Sequence, residues 1–204
     1  MPNIKRAYPL AMQKAGIPQS VIDQFDFSPA FHDRNPQERL AIIETMDTLL
    51  TQEQRMAVME QQGCCKSGQR DKDCRAFAKA YGIKPLAEKV KLLSGVQWMM
   101  NPVLEGNTLT VTFGGHQNGV HQGKNTCSCG TIRHLRQPFT VSKTYCACCA
   151  GHFRYHYQNA LGVKLRLKEI VSSPLDTHGE MPCSMRFEVM DVPNKEQQKG
   201  CDGQ

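Results

Sequence analysis

The sequence is short of the features that mark several large classes of protein. No apolar run approaches the roughly 18 residues a helix needs to cross a bilayer, so no membrane contact is expected. The opening Met1-Pro2-Asn3-Ile4-Lys5-Arg6-Ala7-Tyr8 lacks the apolar segment of a secretory signal, and a cytoplasmic location is expected. Charge of one sign is never concentrated. Basic residues outnumber acidic ones 25 to 19, a net +6, but they are dispersed, with Lys84, Lys89 and Lys91 on one helix and Lys164, Arg166 and Lys168 on one strand. Neither stripe is interleaved with stacking aromatics. Both read as solvated faces, and nucleic acid is not an expected partner. There is no Gly-rich phosphate loop, and Ser172-Ser173-Pro174 has no hydrolase-elbow context. Glu169 and Asp176 show no acid–base partner, and neither repeats nor low-complexity segments occur.

What the sequence does have is cysteine, ten in 204 residues. In a reducing compartment structural disulfides are disfavoured, and clustered thiols point to metal or redox chemistry. Cys74 and Cys183, taken singly, read as small buried hydrophobes. The clustered cysteines need another reason, because filling volume does not require adjacent thiols.

The N-terminal half, residues 1–100, reads as helices. Residues 8–24 form two short pieces broken at Gly16 and Pro18. Asn35-Pro36-Gln37-Glu38 is a start signal, with Asn as cap and Pro at the first helical position. Leu40, Ile43, Met46 and Leu50 then share one side. Thr51 with Gln54 repeats the capping pattern, so a helix is predicted from about Gln52 to Gly63 with Met56 and Met59 in the core. Further helices are predicted near 70–81 and 85–94.

Beyond Pro102 the period changes. Leu109, Val111 and Phe113 alternate with threonines, Val163, Leu165 and Leu167 with basic residues, and Cys183, Met185, Phe187 and Val189 with polar ones. These are strands with one wet face, favouring antiparallel pairing. A helix is predicted over 145–161, closing before Gly162, and a polar tail over 193–204. The expected fold is α+β, with N-terminal helices, an α+β domain over 101–192 and a Cys-rich helix crossing an antiparallel sheet.

The main constellation is Cys127-Ser-Cys129-Gly, then Cys146-Ala-Cys148-Cys149-Ala-Gly-His152. Thiolate and imidazole are the donors preferred by zinc and other thiophilic metals. Cys148 and Cys149 stand four and three residues before His152, so either pair can face one ion, and His156 continues the Cys148 face. Placement at a helix start should also lower thiol pKa values, favouring either a metal ligand or a nucleophile. A second group, Cys64, Cys65 and Cys74, either completes this site or stands apart from it. His116, His121 and His134 lie in or near a Gly-rich loop whose default state is solvated. Tyr145, Phe153, Tyr155 and Tyr157 bring aromatic surface to the Cys-rich helix, enough to line an apolar pocket.

The C-terminal layout resembles the 4-vinyl reductase domain of the ligand-binding superfamily found in NO signalling and Golgi transport. The residues that carry the likeness are the helix opening Tyr145-Cys146 with Gly151, the strand 163–171, and Gly179 before Cys183-Ser184-Met185-Arg186-Phe187. The Cys-Ser-Cys-Gly and Cys-Ala-Cys-Cys-Ala-Gly-His elements look like a cysteine-rich bacterial branch. The resemblance implies a helical part packed on an antiparallel sheet, often in a homodimer, and a small-molecule pocket between them, sometimes with metal. It also implies ligand-binding roles for Glu169 and Cys183. Ser172 or Ser173 stands where that pattern often has a cysteine. A related branch includes hydrolases of small cyclic thiazolines.

The expected function is therefore a cytoplasmic, sensor-type protein binding a small molecule or a metal. Zinc or another thiophilic metal is the cofactor, held by four of Cys127, Cys129, Cys146, Cys148, Cys149 and His152. One alternative is a cysteine-dependent hydrolase or reductase, with Cys146 or Cys149 activated by His152. The other is a structural zinc module for protein interaction.

Overall fold

A computed structural model of the chain describes residues 4–27, 36–63, 66–96, 99–113, 120–121, 124–127, 129 and 141–191. Cys64, Cys65, His116, His134, Asn35 and the 193–204 tail lie outside the described residues, as does the side chain of His121.

The expected break between the first two helical pieces separates α1 (Ile4–Lys14) from α2 (Gln19–Ile22). Gly16 occupies the left-handed region there at φ 70°, a conformation that costs a residue without Cβ little. α3 (Pro36–Leu49) buries Ile42, Ile43 and Met46, and Leu50 follows in the core. α4 (Gln52–Met59) opens with the predicted capping box. Gln54 N–H donates to Thr51 Oγ1 at 3.3 Å, and the Thr51 N–H donates to Gln54 Oε1 at 3.0 Å. The chain then tightens into a 3₁₀ turn, Glu60–Gln62. α5 (Gln69–Tyr81) and α6 (Leu86–Leu93) follow where expected.

The sheet is antiparallel throughout, as its alternating pattern requires. It holds β1 (Val103–Glu105), β2 (Thr108–Phe113), β5 (Lys164–Ser172) and β6 (Cys183–Asp191) in the order β1-β2-β6-β5. A separate two-stranded hairpin, β3 (Val120–His121) with β4 (Lys124–Asn125), lies within the stretch expected to be loop. Neither it nor β1 carries a long enough alternation to be seen in sequence. Their existence is decided by pairing partners rather than by pattern.

α7 (Lys143–Leu161) is the central element. One side lies against the sheet, where the Phe153 and Phe113 rings sit 4.5 Å apart. The opposite side is covered by the N-terminal helices, so one hydrophobic core runs from Met12 and Met46 through Tyr157 to Phe187. The contact with the 3₁₀ turn is backbone to backbone. A Cβ on Gly151 would lie 2.0 Å from the Glu60 carbonyl oxygen, and one on Gly63 would lie 2.6 Å from the Gly151 carbonyl carbon. Arg154 Nη1 donates to Glu60 Oε1 at 2.6 Å across the same contact. Burial nevertheless holds the Glu60 carboxyl above its ordinary pKa, outweighing the Arg154 charge.

One expectation about polar residues changes. Lys89 is buried rather than solvated, and its Nζ donates to the Leu161 carbonyl at the C-terminal end of α7. That carbonyl lies at the helix end, where intrahelical donors run out, so its bond offsets the cost of burying the ammonium. Along β5 the outer edge is occupied by side chains. Gln158 Oε1 accepts from the Leu165 N–H at 2.8 Å, Glu60 Oε2 accepts from the Leu167 N–H at 3.3 Å, and Lys143 Nζ donates to the Val171 carbonyl at 3.1 Å.

Candidate thiol site

α7 begins at Lys143, with Ser142 as cap, two residues earlier than predicted. Cys146 and Cys149 therefore lie within the helix body, one turn apart, and both face the sheet side. They line a small cavity of about 20 Å³ together with Cys127, Cys129, Tyr145, Phe113, Ile170, Ser172, Cys183 and Met185. Each wall has a local reason. Phe113 ends β2 opposite Cys183, and Val111 pairs with Met185, so pleat alternation turns Phe113, Cys183 and Met185 inward together. Cys127 and Cys129 follow Asn125, which is tied to the β5–β6 connection. Its backbone N–H donates to the Gly179 carbonyl at 2.8 Å, and its side chain to the same carbonyl at 3.1 Å.

β5 contributes through an irregularity. Its register against β6 shifts between Leu167 and Glu169, so the inward set Leu165 and Leu167 gives way to Ile170 and Ser172. Strict alternation from Leu167 would have turned Glu169 inward. The bulge leaves Glu169 40% exposed and ion-paired with Arg186, so the glutamate that the family resemblance offers for ligand binding does not line the cavity.

Five cysteine sulfurs thus line one cavity, carried on a loop, a helix and a strand. Cys146 and Cys149 form a Cys-x-x-Cys pair that sequence reading passed over, because Cys148 stands between them and suggested other pairings. Cys183, first read as core filler, is the fifth. Tyr145 Oη is 3.4 Å from Cys129 Sγ, and the Cys129 N–H donates to Cys127 Sγ at 3.4 Å.

The expected lowering of thiol pKa values at a helix start does not occur. Burial pushes the Cys146 thiol up to about 11, and a hydrogen bond with the Ser173 side chain only partly offsets it. Burial likewise pushes Cys127 up to about 12. Cys149 and Cys183 are also raised, by loss of solvent first and by the neighbouring sulfurs next. Desolvation outweighs a helix dipole that fades within the first turn. At neutral pH these four thiols are protonated.

Cys148 and His152 do not line the cavity, contrary to the expected grouping. They lie on the side of α7 that faces the N-terminal helices. Cys148 Sγ donates to the Gln62 carbonyl at 3.5 Å, and His152 Nε2 is 2.6 Å from Arg70 Nη1. His156 is fully buried with its Nδ1 3.7 Å from Cys74 Sγ. Cys74 therefore belongs to the α5–α7 contact, and burial raises its thiol to about 12. Asp176, without a visible partner in sequence, pairs with Lys143 at 3.5 Å. Among the described residues, no group of three or more His, Cys, Asp or Glu side chains is placed so that it could hold a metal ion, and no helix is long and apolar enough to cross a membrane. A wider, more open groove of about 360 Å³ lies between α5 and α6, lined by Phe77, Tyr81, Leu93, Val96 and Asp73 among others, and it carries no cysteine.

No protein-family profile, curated protein or solved structure matches the chain.

Proposed function

We propose that this chain is a sensor-type protein that binds one thiophilic metal ion at the cavity between α7 and the sheet. Cys146 and Cys149 are the anchoring donors, and the sulfurs of Cys127, Cys129 and Cys183 line the same cavity beside them. The observation that carries this reading is the convergence of five cysteine sulfurs from three separate elements on one cavity of about 20 Å³. Room for about one water-sized atom suits an ion, whereas pockets for small molecules run to about 300–1,000 Å³. The thiol electrostatics point the same way. Buried sulfurs that raise one another's pKa values make poor nucleophiles, but a cation entering among them displaces their protons and relieves that repulsion. The rival of an activated cysteine nucleophile paired with His152 has less support, since His152 lies on the other side of the helix against Arg70.

The reading keeps the kinship with the 4-vinyl reductase-like domains, including their homodimer, and a reducing, cytoplasmic setting in which these cysteines stay as thiols. It moves the metal off Cys148 and His152. The test is elemental mass spectrometry on protein purified without oxygen, alongside the C146S and C149S variants. One equivalent of metal, lost in both variants while C148S retains it, is the expected result. Metal-free protein in which all the cavity thiols titrate would refute the proposal.

A further inference from the structure

We infer that the ion this cavity selects is a soft monovalent one of the copper(I) class rather than zinc, held by the thiolates of Cys146 and Cys149 with the Met185 thioether alongside. The inference rests on the metal-site reading above and narrows it.

Three observations carry it. The first is the donor set. Among the described residues, the cavity walls present sulfur from five cysteines and from Met185, which is 1% exposed, and no imidazole or carboxylate. Thioether and thiolate together select copper(I), while zinc draws on thiolate, imidazole and carboxylate.

The second is charge. The other walls are Phe113, Ile170, Tyr145 and Ser172, and the Ser172 hydroxyl is spent on the Pro182 carbonyl at 2.7 Å. Among the described residues, no lysine, arginine or histidine lines the cavity. Lys143, the cation near Cys146, is already engaged with Asp176 at 3.5 Å and with the Val171 carbonyl. Zinc with four thiolates would bury a charge of −2 in these apolar walls, whereas copper(I) with two thiolates buries −1. The Born cost of burying an ion rises as the square of its charge, so the zinc complex costs roughly four times as much to desolvate. Met185 adds a donor without adding charge. The balance is simple: the ion enters, two S–H bonds give up two protons to solvent, and two metal–sulfur bonds form with no change of oxidation state.

The third is preorganisation. Cys146 and Cys149 sit one turn apart on a helix whose other side is fixed by backbone contact at Gly151. A two-thiolate site needs only this rigid pair. A four-thiolate site must also bring in both loop cysteines.

The experiment uses the full chain under anaerobic conditions. It is titrated with copper(I) against a chromophoric copper(I) chelator and with zinc against a zinc indicator, and X-ray absorption at the bound metal's edge counts its ligands. The expected result is one copper(I) per chain with two short thiolate bonds plus one thioether sulfur, and a copper preference of at least about a hundredfold. M185L, a volume-conserving change that the fold should tolerate, should weaken copper retention about tenfold and leave zinc affinity unchanged. Zinc bound by four sulfurs with equal or greater preference would overturn this inference while leaving the metal-site reading intact. Copper retention unchanged in M185L would overturn the role of the thioether. Failure to bind either ion would overturn both readings.

Discussion

Gly151 offers the sharpest test of the packing that sets the site. α7 crosses the 3₁₀ turn so closely that an alanine Cβ at this position would lie 2.0 Å from the Glu60 carbonyl oxygen and 2.8 Å from Glu60 Cα. The opposing atoms are backbone, so no side chain can swing away. Restoring ordinary contact requires α7 and the turn to part by about 1 Å or more. That separation stretches the Arg154–Glu60 ion pair and the Glu60 bond to the Leu167 N–H, which share the contact. Overpacking costs about 1–3 kcal/mol where side chains can adjust, so G151A should lose about 3 kcal/mol or more. For a chain of this length the loss corresponds to a fall in Tm of roughly 6–12 °C. Urea and thermal unfolding followed by circular dichroism give the number directly. A loss below about 1 kcal/mol would mean that the helix and the turn are not held together as described, and the argument from preorganisation would fall with it.

Two further outcomes follow from the site's electrostatics. The Cys146 thiol is raised from 9.0 to about 11 in the folded protein, so the folded state binds its proton more tightly than the unfolded chain does. Its contribution, on the order of 3 kcal/mol, is therefore fully present below pH 9 and is lost as pH rises toward 11. Urea unfolding of the metal-free protein at pH 8 and pH 10.5 should show that decline, and C146S should flatten part of it. A profile independent of pH would refute the burial argument. E169Q breaks an exposed ion pair with Arg186, so it should cost less than about 1 kcal/mol and leave metal content unchanged. Loss of metal in E169Q, measured by elemental analysis, would show that Glu169 serves the site after all.

Elements with a local signature were legible in the sequence. The Thr51 capping box and the alternations of β2 and β6 depend on residues within a few positions of one another, and each appears where expected. Lys89 was misread because its acceptor, the Leu161 carbonyl, lies 72 residues away. The outward facing of Glu169 was not legible, because one bulge reverses the inward parity of β5, and a one-residue shift changes every later side chain's face. The thiol site was half legible. Composition singled out the clustered cysteines, but the run Cys146-Ala-Cys148-Cys149 contains several helical pairings with the later histidines. Only the packing of α7 decides among them, sending Cys146 and Cys149 to the sheet and Cys148 to Gln62.

The side chains along β5 bear on how copies of this chain can meet. A nine-residue strand at the border of a sheet is ordinarily a template for strand addition, and hence for runaway association through main-chain ladders. Here Gln158 and Glu60 already take the N–H groups of Leu165 and Leu167, and Lys143 takes the carbonyl of Val171. An incoming strand would have to displace an amide, a carboxylate and an ammonium before forming its first bonds. Strand addition between copies would therefore have to use another border, such as β1, leaving β5 as the closed border of each copy's own sheet.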